Sequence, residues 1–271
     1  MRIRAVAAVS GALALTALTA LTALTVLPAS AAPAGGTGKP AAAAEPVLSK
    51  VLVNGGKDIV LGTTAPKTIT LSVTASHASG IADGWVLLWH GTDPDEGMDG
   101  ALVPEGGATC KNASATAATC ALTLTIDPKA DLRWNKVAGS WHVLAGASAK
   151  DGGLTSYDSY TTARVQRLSK LTVNAAPEPV KKGRTITVTG KLSRANWEDH
   201  AYHGYTGQPV RLQFRKKTGS TYTTVKTVRT NGTGNLKTTV KASVDGYWRY
   251  SFAGTSTTPA VTTAGDFVDV R

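Results

Sequence analysis

Four carboxylates, Asp93, Asp95, Glu96 and Asp99, fall within the single segment Asp93-Pro94-Asp95-Glu96-Gly97-Met98-Asp99-Gly100. A hard cation such as Ca²⁺ takes several oxygen ligands from a flexible loop, so this cluster is a candidate metal site. It is not an EF-hand. With Asp93 in the first position, Met98 stands where the obligatory glycine belongs. A solvated turn after a core strand accounts for the same residues, because Asp and Gly favour turns. The primary reading is therefore no cofactor, with Ca²⁺ held by Asp93, Asp95, Glu96 and Asp99 as the alternative.

Cys110 and Cys120 are the chain's two cysteines. No further soft ligands flank them, which argues against a metal and for a disulfide. The intervening KNASATAAT is small and turn-prone, and the ALTLTID that follows alternates like a strand. A bridge closing this loop contributes roughly 2–3 kcal/mol on the loop-entropy account.

Charge is distributed unevenly. Residues 168–271 carry 16 Lys/Arg against 6 Asp/Glu, whereas residues 32–167 carry 11 against 12. In PVRLQFRKK the residues Arg211, Gln213, Arg215 and Lys217 share one parity, and Leu212 and Phe214 the other. A strand there points the cations to solvent and the apolar pair to a core. A basic face outside a cell meets anionic envelope polymers, acidic polysaccharide or lipid headgroups, and nucleic acid is disfavoured in that compartment. Charge kept for solubility and for protecting edge strands explains the same pattern. Trp197, Tyr202 and Tyr205 sit together in the long segment RANWEDHAYHGYTGQ. Displayed on a loop they could stack on a sugar, and tucked inward they would serve their own core.

Nucleophile and zinc-protease motifs are absent from the sequence: there is no G-x-S-x-G, S-x-x-K or H-E-x-x-H. His200-x-x-His203 has ligand spacing only on a helix, and its Asn-, Tyr- and Gly-rich surroundings read as an exposed loop. Scattered acids such as Asp151 and Asp158 select no glycosidase pair. The expectation is a protein that is not an enzyme, with a carbohydrate-active enzyme as the remote alternative.

These residues need elements to hold them. Arg2 and Arg4 precede an apolar stretch ending at Pro28, and Ala29-Ser30-Ala31 has the small-x-small form of a cleavage site. Residues 1–31 thus read as a signal peptide with the mature chain starting at Ala32; a retained anchor is the alternative. No later segment is apolar enough to span a bilayer, so no transmembrane anchor is expected after cleavage. The Pro-, Gly- and Ala-rich residues 32–46 read as a disordered linker.

Beyond it, short alternating runs recur between turn signals. VLSKVLV, KTITLSVTA, WVLLWH, ALTLTI, WHVLAGASA and YTTARVQRL fill residues 47–167. LTVNA, RTITVTGKLS, PVRLQFRKK, TYTTVKTVRT, NLKTTVKA, YWRYSFAG and DFVDVR fill residues 168–271. The segments from Asp93 to Cys110 and from Arg194 to Gln208 read as long loops. The expected fold class is all-β: two consecutive immunoglobulin-like β-sandwich domains, 47–167 and 168–271, the second basic. Strand count does not fix closure, so a barrel remains the alternative.

Three blocks, KLTVNAAPEPVKKGRTITVTGKLSRANW, GQPVRLQFRKK and VKASVDGYWRYSFAGTSTTPAV, resemble the C-terminal half of a group of secreted actinomycete proteins. The leader MRIRAVAAVSGALAL and the stretch from VNGGKDIVLGTT to VQRLSK resemble the preceding parts of some members. The group is largely uncharacterised, and some members carry a generic calcium-binding label. The resemblance implies export and a β-rich build, and it transfers no site residue. Together these readings predict a secreted or cell-wall-associated, non-enzymatic binding or structural protein. Its alternatives are a secreted calcium-binding protein and a carbohydrate-active enzyme.

Overall fold

The strand Lys67–Ser76 buries Ile69, Leu71, Val73 and Ala75 and exposes Thr68 and Thr70. Side chains alternate across a strand, so a two-residue repeat of this kind can cover a core on one face only. The same repeat buries Leu122, Leu124 and Ile126 on one strand, and Trp248, Tyr250 and Phe252 on another. Each such side chain stabilises the fold by about 1.5–3 kcal/mol through burial. These features are seen in a computed structural model that describes residues 43–271. The expected signal peptide and cleavage site, and most of the expected linker, lie outside the described residues. Pro46, the linker's last residue, is already buried. Among the described residues no helix is long and apolar enough to cross a membrane.

In the first half, β1 (Val47–Val53), β3 (Lys67–Ser76), β6 (Thr109–Asn112) and β7 (Ala117–Ile126) form an antiparallel sheet in the order β1-β3-β7-β6. The facing sheet runs β2-β9-β8-β4-β5. It is built from β2 (Ile59–Leu61), β4 (Ile81–Gly91), β5 (Met98–Leu102), β8 (Gly139–Ala149) and β9 (Leu154–Arg167). Only β2 and β9 pair in parallel within it. Trp85 lies flat against β8 because its direct partner is Gly146, where any side chain would overlap the indole.

In the second half, the long strand β12 (Thr185–Ala195) organises one sheet. It pairs with β10 (Ser169–Leu171), β11 (Asn174–Ala176), β13 (Tyr202–Gly204) and β16 (Asn235–Lys241). The other sheet runs β15 (Thr223–Arg229), β14 (Pro209–Lys216), β17 (Gly246–Phe252). The short strands β18 (Val261–Thr262) and β19 (Asp266–Val268) complete it along β17. Each half therefore packs two separate sheets over its own apolar core, the immunoglobulin-like sandwich arrangement, and not a closed barrel. Strands β5 and β13 fall in segments expected to be loops. Both are short and attach to the end of a longer strand, so the neighbour supplies the pairing that alternation does not announce.

Leu168 alone separates β9 from β10. Around it the loop after β17 clasps the first half. Gln166 donates to the carbonyls of Thr255 and Ser256 at 3.1 and 3.3 Å, and Arg167 N–H to Thr257 O at 3.0 Å. From the second half, Ser169 Oγ donates to Pro259 O and Arg194 to Thr258 Oγ1. Arg167 is buried and donates from Nε to Ala195 O at 2.6 Å. Burial, reinforced by the positive charge of Arg194, lowers its pKa to about 10.

Candidate functional site

The outer face of the β15-β14-β17 sheet collects the cations expected of the basic half. Arg211, Gln213 and Arg215 of β14 stand opposite Ser251, Arg249 and Tyr247 of β17. Leu212 is fully buried beneath them, and Phe214 packs on Trp248 with ring centroids 4.6 Å apart. The parity read from the sequence thus holds, with Arg211 exposed and Arg215 half-buried.

Aromatic side chains order this face. The Arg215 guanidinium lies over Tyr247 at 4.2 Å and 5.2 Å from the ring of Tyr222. Arg249 lies over Tyr222 at 3.7 Å and donates from Nε to Gln213 Oε1 at 2.8 Å. Arg215 Nη1 donates to Gly219 O at 2.7 Å. Tyr222 reaches across the sheet, and its hydroxyl occupies the space a side chain at Gly265 would need. Lys217 sits 5.4 Å from the ring of Phe267 and pairs with Asp245 at 3.5 Å. Among the described residues no carboxylate lies within ion-pair distance of Arg211, Arg215 or Arg249. Cations on aromatic faces gain about 0.5–1 kcal/mol at exposed positions, and stacking fixes where their N–H groups point.

Arg249, Tyr222, Tyr247 and Phe267 were not singled out in the sequence. The parity of Tyr247-Arg249-Ser251 against Trp248-Tyr250-Phe252 is legible in YWRYSF. That β17 lies beside β14, with Arg249 opposite Gln213, is a matter of sheet order and register.

Of the two readings of the aromatic segment, displayed or tucked inward, Trp197 takes the inward one, though in the other half's core. Trp197 is fully buried, and it packs into the core of the first half, not on display. Its indole N–H donates to Gly62 O at 2.9 Å, and its backbone N–H to Asn135 Oδ1 at 3.0 Å. Tyr202 and Tyr205 are half-buried, each with a cation over one ring face. Lys170 Nζ lies 3.6 Å from the Tyr202 ring centroid and the Arg194 guanidinium 3.9 Å from that of Tyr205. Trp197 offers no face to a ligand. His203 lies beside Asp199, with Nε2 and Oδ2 2.6 Å apart.

Two of the four acidic residues, Asp93 and Asp99, are engaged in local bonds. Asp93 Oδ1 accepts the backbone N–H groups of Asp95 and Glu96 at 2.9 and 3.0 Å. These bonds, Glu96 first, hold its carboxyl below the usual value. Asp99 lies on β5, where it hydrogen-bonds His90 and pairs with Lys136 Nζ at 2.9 Å. Among the described residues no three His, Cys, Asp or Glu side chains are grouped to hold a metal ion. Cys110 and Cys120 are joined as a disulfide between directly opposed residues of β6 and β7.

A family of unknown function (DUF5707) matches residues 62–147, a span that runs from the end of β2 to late β8 and stays within the first half. Comparison with the curated proteins returns no match. Similar solved structures include the fibronectin(III)-like modules of Clostridium thermocellum CbhA. They are 13% identical with a TM-score of 0.33, over 82% of this chain and 93% of that one. The adhesin InvE of Yersinia pseudotuberculosis is 14% identical with a TM-score of 0.27, over 85% of this chain and 61% of that one. Dimeric latent PorU from Porphyromonas gingivalis is 12% identical with a TM-score of 0.29. The match covers 88% of this chain and only 21% of PorU.

Proposed function

We propose that this is an exported, envelope-associated binding protein without catalytic activity, and that its basic half holds an anionic polymer on the outer face of β14 and β17. One observation carries the reading. Arg211, Arg215 and Arg249 share that face with no carboxylate at ion-pair distance among the described residues. Cations kept only for solubility need no fixed geometry, whereas Arg215 and Arg249 are stacked in place. The signal-like leader and the disulfide support export, since such bridges persist in oxidising compartments.

The test uses the whole mature chain. Trp197 belongs to the first core, so cutting at Leu168 would open that core and confound a comparison of isolated halves. Retention on an anionic polymer should fall steeply as salt rises above ~0.1 M, where the screening length drops below ~10 Å. R211Q/R215Q should elute at clearly lower salt with only a modest drop in melting temperature: Arg211 is exposed, and Arg215 loses stacking worth about 0.5–1 kcal/mol. Retention independent of salt, or equal for the variant and the natural chain, would reject the reading.

A further inference from the structure

We propose that Arg215 and Arg249, bracketing Tyr222, form a binding site for phosphate groups carried on a polymer. This rests on the polymer-binding reading above and narrows it to a ligand class. Both guanidinium groups lie against the same ring, Tyr222, from neighbouring strands. Two cations held near one ring raise the local positive potential, which a bound anion would neutralise. Five of the six acids of this half are engaged elsewhere. Asp245 bonds Lys217 and Val270 N–H, Asp266 accepts from Ala175 N–H, and Asp269 pairs with Arg271. Asp199 bonds His203, and Glu198 accepts from Asn135 N–H.

The remaining donors favour a tetrahedral oxyanion. Arg249 has spent Nε on Gln213, and Arg215 has spent Nη1 on Gly219. Each keeps its other N–H groups, and their stacking planes are fixed by Tyr222 and Tyr247. A carboxylate can bridge two guanidinium groups only through two oxygens in one plane, whereas a phosphate carries more charge and outward oxygens in several directions, so it meets two differently tilted guanidinium groups more readily. Each ring already carries a cation over a face, which disfavours stacking on a sugar. Recognition therefore reads charge and geometry, and tolerates variation in the units between phosphates.

The deciding experiment titrates the whole mature chain with long-chain inorganic polyphosphate and with polygalacturonate of matched charge, near 0.1 M salt. Removing one charge-assisted hydrogen-bonding group should weaken binding roughly tenfold. Polyphosphate is expected to bind at least about tenfold tighter than polygalacturonate, and R215Q or R249Q to lose about tenfold each. R249K keeps the charge but not the planar fork, and should lose nearly as much. K237Q/K241Q removes two exposed charges from the other sheet and should change affinity less than about threefold. Equal affinity for the two polymers, R249K binding like the natural chain, or K237Q/K241Q costing as much as R249Q would overturn the phosphate site while leaving the general electrostatic reading standing. Binding to neither polymer would reject both. Capture by phosphatidylglycerol vesicles without binding to polyphosphate would overturn the polymer assignment.

Discussion

The indole of Trp197 donates to the carbonyl of Gly62, at 2.9 Å and 135 residues apart in the chain. The donor lies in the basic half and the acceptor follows β2 of the first, so one side chain belongs to the core across the junction. With the clasp from Thr255 to Pro259, this makes the orientation of the basic face relative to the first half a property of packing, not of a linker.

W197A should lower the unfolding free energy of the mature chain by about 3–5 kcal/mol, the usual loss for a large aromatic truncated in a core. W197F keeps most of the volume and loses the bond to Gly62 O, so about 1–2 kcal/mol is expected. Urea denaturation followed by far-UV circular dichroism measures both. A loss under about 1 kcal/mol for W197A would show that the junction contributes little.

Replacing both Cys110 and Cys120 by serine should cost roughly 2–3 kcal/mol, because the bridge limits the unfolded chain more than it adds native interactions. The β6–β7 pairing is held by backbone bonds and should persist. Differential scanning calorimetry of the variant, and of the natural protein with and without reductant, would give the same shift if the bridge is the cause.

Asp99 is held below its usual value of 3.8, first by the His90 hydrogen bond and then by Lys136. A carboxyl depressed in the folded state stabilises above its unfolded pKa, and that stability is lost as pH falls through the folded pKa. D99N should therefore be less stable than the natural protein at pH 7, by less than about 1 kcal/mol for a partly exposed pair. The difference should shrink as pH drops below about 4. A gap that is constant from pH 7 to pH 3 would mean the ionised carboxylate is not what matters.

Calcium is expected to leave the melting temperature unchanged at millimolar concentration, because Asp93 and Asp99 are occupied by the turn and by His90 and Lys136. A calcium-dependent rise that disappears in D95N would support the metal reading of Asp93, Asp95, Glu96 and Asp99 instead. Ligand binding to the folded state alone must raise the midpoint, so the measurement is direct.

Alternation in the sequence determined the β class, most of the long strands and the outward parity of Arg211 and Arg215. Those features depend on neighbours two residues apart. The close pair of cysteines likewise announced its own bridge. Tertiary structure alone decided the rest. A tryptophan in a polar stretch reads alike whether it is displayed or tucked inward, and packing against Gly62 placed Trp197 in the other half's core. The dense carboxylates share a segment of sequence, but which bonds engage them, backbone N–H groups for Asp93 and His90 for Asp99, was a tertiary matter. Arg249 joined Arg215 because β17 lies beside β14 in one register, and Tyr222 reached them from β15's leading end. Such meetings join residues far apart in sequence, whereas periodicity reports only on residues close along the chain.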